Sequence, residues 1–234
     1  MPLVFLYSES TMTVDKYLAS DIDMLAQRVL KLGEAYDGTN RIIITISGIP
    51  GSGKSTVAAK LMLQLNKLTS DVVMLSQDGF HYYRAELHSM PNPSEAIARR
   101  GAAFTFNVVR FVELVRKIKY DLNSTIYAPD FSHTLKDPEE NKIPIHPHHK
   151  VVILEGNYVN IAHGDWKFIG EVATERWMVT ADPSLVRDRV IARHLKAGIS
   201  KTYKDACHRV DTNDLVNAYF ILQNSPTPDV EIQN

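Results

Sequence analysis

The sequence predicts a three-layer α/β fold, a mainly parallel central sheet flanked by helices, and three observations predict it. Continuous apolar runs at residues 41–47, 71–76, 151–154 and 175–180 alternate with segments of helical period, the pattern of buried parallel strands joined by crossover helices. The first run leads straight into Gly48-Ile49-Pro50-Gly51-Ser52-Gly53-Lys54-Ser55, a complete G-x-x-x-x-G-K-[ST] string with a helical pattern behind it. Two other runs stop at polar groups, Gln77-Asp78-Gly79-Phe80 and Glu155-Gly156, as strands do when their carboxyl ends open on a ligand site.

The elements follow in order. Val14, Leu18, Ile22, Leu25, Val29 and Leu32 share one helical face, so residues 1–40 are expected to hold an amphipathic helix over 13–32 that packs on the core. The strand at 41–47 and the phosphate loop precede a helix over 54–68, with Val57, Leu61 and Leu65 on one side, and then the strand at 71–76. Prolines 91 and 93 and the corner Arg99-Arg100-Gly101 make 82–106 an irregular, substrate-facing segment. A helix over 107–120 carries Phe111, Val115 and Ile118 inward, capped by Asn107. Residues 125–149 read as loop-rich with a strand-like start, and Asp137-Pro138 as a turn. Strands at 151–154 and 175–180 precede helices over 185–196 and 201–210, and a polar tail at 225–234 is expected to be mobile. The catalytic domain is placed at 41–224, with a small arginine-bearing lid over about 184–200, the arrangement of a P-loop NTPase.

Composition bounds the alternatives. A chain of 234 residues suits one large α/β domain rather than two. Net charge of −1 gives no field to draw nucleic acid or an anionic membrane, and no basic aromatic surface is legible. Cys207 is the single cysteine, which points to a reducing compartment. The opening Met1-Pro2-Leu3-Val4-Phe5-Leu6-Tyr7 is too short for a span and lacks a basic start. The expected location is cytoplasmic, with nuclear entry by diffusion as a second compartment; homo-oligomerisation is left open.

The residue types explain the chemistry. Glycines let successive N–H groups turn inward, and these donors, with the positive end of the next helix, hold phosphate oxygens. Lys54 adds a cation, Ser55 a hydroxyl for Mg²⁺, and Thr56 completes the nucleotide-binding set. Asp78 suits the base that orients an acceptor hydroxyl, and Glu155 a Mg²⁺ contact, directly or through Ser55. Arg187, Arg189 and Arg193 share one helix, and the latter two, spaced i, i+4, can lean over one point to neutralise a phosphoryl group in transfer. The run His146-Pro147-His148-His149 lacks the spacing that brings metal ligands to one centre.

At these residues the chain resembles the phosphoribulokinase/uridine kinase family of P-loop kinases, which includes bacterial-type pantothenate kinase. Gln77-Asp78-Gly79-Phe80 is similar to that family's D-G-F or D-S-F segment, Arg99-Arg100-Gly101 to its basic-Gly step and Ile153-Leu154-Glu155-Gly156 to its L-E-G motif. Asp182-Pro183 resembles the start of its lid, and Asn213-Asp214-Leu215-Val216-Asn217 its late segment near the nucleotide base. Tyr127-Ala128-Pro129-Asp130-Phe131-Ser132-His133 is similar to the Y-D-F-x-x-H stretch of the nucleoside pocket; it differs in spacing, with Thr134-Leu135-Lys136 where an arginine usually follows. The resemblance implies an ATP- and Mg²⁺-dependent kinase with a small-molecule acceptor, most plausibly a nucleoside such as uridine. Asp78 would be its base, Arg187 and Asn217 nucleotide contacts, and His81, Arg100, Tyr127, Phe131 and His133 the acceptor pocket. Pantothenate, a sugar or a sugar phosphate stay open as acceptors, the last served by Arg99 and Arg100. A nucleotide-dependent ATPase or switch without an acceptor is the rival from another class.

Overall fold

A computed structural model describes residues 13–234. In chain order it holds β1 Asp15–Leu18, α1 Ile22–Glu34, β2 Ile42–Ser47, α2 Lys54–Leu65 and β3 Val72–Ser76. There follow the short α3 Arg84–His88 and α4 Pro93–Ala98, then α5 Val108–Tyr120 and the hairpin β4 Ile126–Ser132 and β5 Asp137–Ile145. The chain continues through β6 Val151–Glu155, α6 Lys167–Val172, β7 Glu175–Thr180 and α7 Pro183–Lys196, and closes with α8 Tyr203–Arg209, α9 Leu215–Asn224 and β8 Val230–Gln233. The apolar reading of residues 1–7 lies outside the described residues. Among those described, no helix is long and apolar enough to cross a membrane.

Six parallel strands form the central sheet in the order β1-β8-β7-β2-β6-β3. Every residue of β2 is buried, as a strand covered on both faces requires. Its side chains alternate: Ile43 joins Phe111, Val115, Tyr158 and Ile221 on one face, while Ile42, Ile44 and Ile46 join Leu25, Val29, Leu61 and Leu65 on the other. After β2 the chain passes outward to β3, returns to β6 beside β2, and then crosses to β7 on the opposite side. This reversal makes the carboxyl end of β2 a topological switch point, the place where open α/β sheets bind their ligands.

Four expectations change. The helix expected at 13–32 is a strand followed by a helix: Val14 and Leu18 fit the helical period by coincidence, but Asp15–Leu18 pairs with β8, and Asp21 breaks the chain by accepting the Leu18 N–H at 2.8 Å. The tail expected to be mobile is β8, held between β1 and β7 with Val230 and Ile232 fully buried. Residues 125–149 form an antiparallel hairpin whose turn lies at 133–136, so Asp137-Pro138 begins β5. Segment 82–106 is not irregular throughout; Asn92 caps α4 and Pro93 opens it, a position where no N–H is lost.

Opposite the switch point, Arg41 is fully buried and donates to four carbonyls, His149 (2.9 Å), Ile118 (2.8 Å), His146 (3.3 Å) and Asp121, tying the start of β2 to α5 and the β5–β6 loop. His149 joins this knot as an acceptor, its Nδ1 taking the His146 N–H at 3.0 Å. Burial, with His148, His146 and Arg41 nearby, pushes its pKa down to about 4. Between pH 6.5 and 4 the unfolded chain then binds the proton the folded chain refuses, so stability is lost as pH falls through that window. The thermal midpoint should fall from pH 7 to 4.5, and His149→Asn, which keeps an acceptor that cannot titrate, should flatten that slope.

Candidate active site

The phosphate loop runs from the end of β2 into α2. Gly51 and Gly53 sit at φ +84° and +92°, a left-handed region open to glycine. Lys54 is buried at the helix start, its Nζ 4.0 Å from Glu155 Oε1. Ser55 donates to the same oxygen at 2.9 Å. Thr56 is exposed beside it. Glu155 ends β6, whose register with β2 and β3 pairs it with Ile46 and Ser76. Three strand ends thus meet, as the polar stops in the sequence predict.

Ser76, which sequence reasoning missed, joins two parts of the site. Its Oγ donates to Glu155 Oε2 at 3.4 Å and accepts the Asp78 N–H at 3.2 Å, capping the short helical turn at Gln77–Phe80. That turn aims Gln77 inward, where its Oε1 accepts the Tyr158 N–H at 2.9 Å, and leaves the Asp78 carboxylate half exposed. Gly79 is required because the Pro129 carbonyl of β4 approaches it closely: a Cβ there would lie 2.5 Å from that oxygen. The hairpin is thereby docked beside Asp78.

The electrostatics are those of a compact charge cluster. Burial pushes the Lys54 pKa down; Glu155 and Asp78 oppose this, and the nearby Arg193 adds to it. Burial pushes the Glu155 carboxyl up, against the pull of Lys54 and the hydrogen bonds from Ser55 and Ser76. Both charges are costly where they stand, so a polyanion and a divalent cation would find groups already stripped of water. Ser55 and Glu155 are hard oxygen donors of the kind Mg²⁺ takes. Ser52 Oγ is buried within the loop without a partner among the described residues. Loop and donors fit a nucleotide phosphate with its cation.

Beyond Asp78 lies an aromatic wall. The His81 ring sits 4.0 Å from Phe106 and 5.1 Å from Phe131, and Phe131 lies 5.5 Å from His133. His81 Nδ1 donates to the Asp78 carbonyl at 2.9 Å, which fixes its tautomer and leaves Nε2 as an acceptor; burial lowers its pKa, opposed by Asp78. Arg100 lies over the Phe131 ring at 5.7 Å and donates to Asp137 (2.8 Å), Lys136 O (2.6 Å) and Tyr82 O (3.1 Å). Phe106 carries no local sequence signal, and Asp137 only that of a turn.

Other candidates fall elsewhere. Tyr127 is exposed on β4 opposite Pro144 and shares no ring contact with the wall; four residues before Phe131 it would share that residue's face in a regular strand, but the register shifts between Ala128 and Asp130 and breaks the alternation. Asn217 is buried with Asn213, both accepting from Arg99 (3.2 and 2.8 Å). Arg99 and Arg100 are therefore committed to internal partners and do not form the free cationic pair weighed for a phosphorylated acceptor.

The arginine helix α7 lies against the loop: a Cβ on Gly51 would stand 2.7 Å from Val190 Cγ2 and 2.8 Å from the Val186 carbonyl. Val190 and Ile191 form a small separate core with Ala206 and Val210. Arg193 is exposed at the Lys54 side and 3.7 Å from Asp214, and Arg189 is exposed. Arg187 instead makes a two-pronged pair with Asp211, at 2.9 Å each, which holds α7 to the segment before α9. A residue spaced i−2 from Arg189 points away from it on a helix, so the three arginines do not converge.

Residues 42–101 match the family described as "Chromatin associated protein KTI12". A Schizosaccharomyces pombe protein named "Putative uridine kinase C227.14" is 36% identical over 222 residues, 94% of this chain and 93% of that protein. An Aspergillus versicolor "ATP-dependent kinase-like protein notR'" is 38% identical over 63% of this chain and 87% of its own length. Among solved structures, a "putative fructose transport system kinase" from Silicibacter sp. TM1040 superposes with a TM-score of 0.77 at 25% identity, over 90% of this chain and 98% of that one.

Proposed function

This chain belongs to the uridine kinase-like family of P-loop kinases, and we propose that it passes the γ-phosphoryl group of ATP to a hydroxyl of an uncharged small molecule, best matched by a nucleoside such as uridine. The observation that carries this reading is the placement of Asp78 between the Lys54–Ser55–Glu155 cluster and the aromatic wall of His81, Phe106 and Phe131.

In this reading the loop amides and Lys54 hold the ATP phosphates, and Ser55 with Glu155 holds the cation. Mg²⁺, when bound, neutralises charge on the outer phosphates. Asp78 accepts the acceptor's hydroxyl proton, and its backbone, pinned through Ser76 and His81, keeps the carboxylate aimed at the crevice. Arg193, and Arg189 once α7 shifts, would offset charge on the group in transfer, with 184–200 acting as the lid. A flat ring stacked against His81 and Phe131 favours a base or the apolar face of a sugar. The internal commitments of Arg99 and Arg100 argue against a phosphorylated acceptor.

A sugar is the second reading, favoured by the likeness over nearly the whole chain to the kinase named for a fructose transport system. ADP release should be measured with Mg-ATP and uridine, cytidine, fructose, pantothenate or ribulose phosphate. Strong stimulation by a nucleoside supports the proposal; stimulation by fructose alone moves the acceptor to sugars. Hydrolysis indifferent to every acceptor would replace both with an ATPase.

A further inference from the structure

We propose that Asn234 is a positioning residue of the phosphate loop, holding the Ser52–Gly53 peptide so that the Gly53 N–H faces the phosphates; this rests on the reading of residues 48–55 as the ATP site. Asn234 Nδ2 donates to the Ser52 carbonyl at 2.7 Å. No backbone donor reaches that carbonyl among the described residues. The peptide is trans, so its C=O and N–H point in opposite directions. Anchoring the carbonyl on the β8 side therefore turns the Gly53 N–H the other way, toward the hollow of the loop.

The anchor is itself fixed. The Asn234 N–H donates to Thr180 O at 2.9 Å, continuing the β7–β8 ladder by one residue, and Thr180 Oγ1 donates to Glu231 at 3.3 Å. Asn234 lies so close to the loop that a Cβ on Gly53 would stand 2.1 Å from its Nδ2. With Val190 packed at Gly51 on the other side, the loop is held from two directions, by α7 and by the end of β8. A donor is needed at this position, and the side-chain amide supplies it without adding a charge beside bound phosphate.

The test is the calorimetric dissociation constant of Mg-ADP, which needs no acceptor, for wild type, Asn234→Ala, Asn234→Asp and Lys54→Ala. Without the anchor the peptide must be turned into place on binding, which predicts about fivefold weaker binding for Asn234→Ala, and the Asp variant, which loses the donor and sets a carboxylate against the carbonyl, should be weaker still. In turnover the change should appear in KM for ATP with kcat little altered, and the thermal midpoint without nucleotide should stay near wild type. Wild-type affinity in both Asn234 variants, with Lys54→Ala impaired, overturns this inference alone. Weaker binding matched by an equal loss of nucleotide-free stability overturns it too, since that marks a merely structural contact. A wild-type protein that does not bind Mg-ADP removes the ATP-site reading beneath it.

Discussion

Asp78→Asn is expected to lower turnover by about two to four orders of magnitude while leaving the affinity for Mg-ATP near its wild-type value. The substitution keeps the shape of the side chain and takes away its ability to accept a proton. The surrounding geometry should survive, because the turn is held by backbone and neighbouring groups: Ser76 Oγ on the Asp78 N–H, His81 Nδ1 on the Asp78 carbonyl, and Gln77 on Tyr158. Half of the carboxylate is already open to solvent, so the amide leaves no buried charge unpaired. The loss should fall on kcat with the acceptor present, and isothermal binding of Mg-ATP should report an intact nucleotide site. Turnover equal to wild type would remove Asp78 from the chemistry; only if hydrolysis were also indifferent to every acceptor would the ATPase rival take its place.

The parts of this site that are legible in the sequence are those encoded by short spacing or by abrupt changes of polarity. The phosphate loop is contiguous, and its residues lie at the carboxyl end of β2, directly behind the apolar run that forms the strand. Asp78 and Glu155 are legible because a buried parallel strand changes to polar residues at the sheet's carboxyl edge, where ligands bind. What stayed hidden depends on distant partners. Asn234 meets Ser52 across 182 residues, and nothing in a polar tail announces a sixth strand until its partners exist. The four residues of β1 carry a helical spacing that only pairing with β8 overrules. Arg100 and Asn217 sit in motif-like strings, yet Asp137 and Arg99 decide what their polar atoms are free to do. Tyr127 and Phe131 lie in one stretch, but the shift of register between Ala128 and Asp130 changes which side chains face the wall.

Lys54→Met should abolish detectable Mg-ATP turnover and also destabilise the nucleotide-free protein, increasingly so as pH rises. In the proposed reading its ammonium is the loop's cation, and removal of one preorganised charge-stabilising group costs about 10²–10³ in rate before the loss of phosphate binding is added. The stability effect has a separate origin in Glu155. That carboxyl is already pushed above its ordinary pKa by burial, and Lys54 is the opposite charge that restrains the shift. Without the lysine the folded-state pKa climbs further. The folded chain then holds a proton that the unfolded chain releases, and stability declines as pH rises from the ordinary carboxylate range through the folded value. Breaking a buried pair costs about 3–5 kcal/mol, and the low end is expected here because Ser55 and Ser76 still donate to Glu155. Lys54→Met combined with Glu155→Gln removes the titrating group, so the double variant should recover stability and lose the added pH dependence while remaining inactive. Denaturant midpoints at pH 6 and pH 8.5 for the single and double variants separate the two effects. Equal stability losses in both variants at both pH values would show that Lys54 and Glu155 are not energetically coupled, and that Lys54 serves the nucleotide alone.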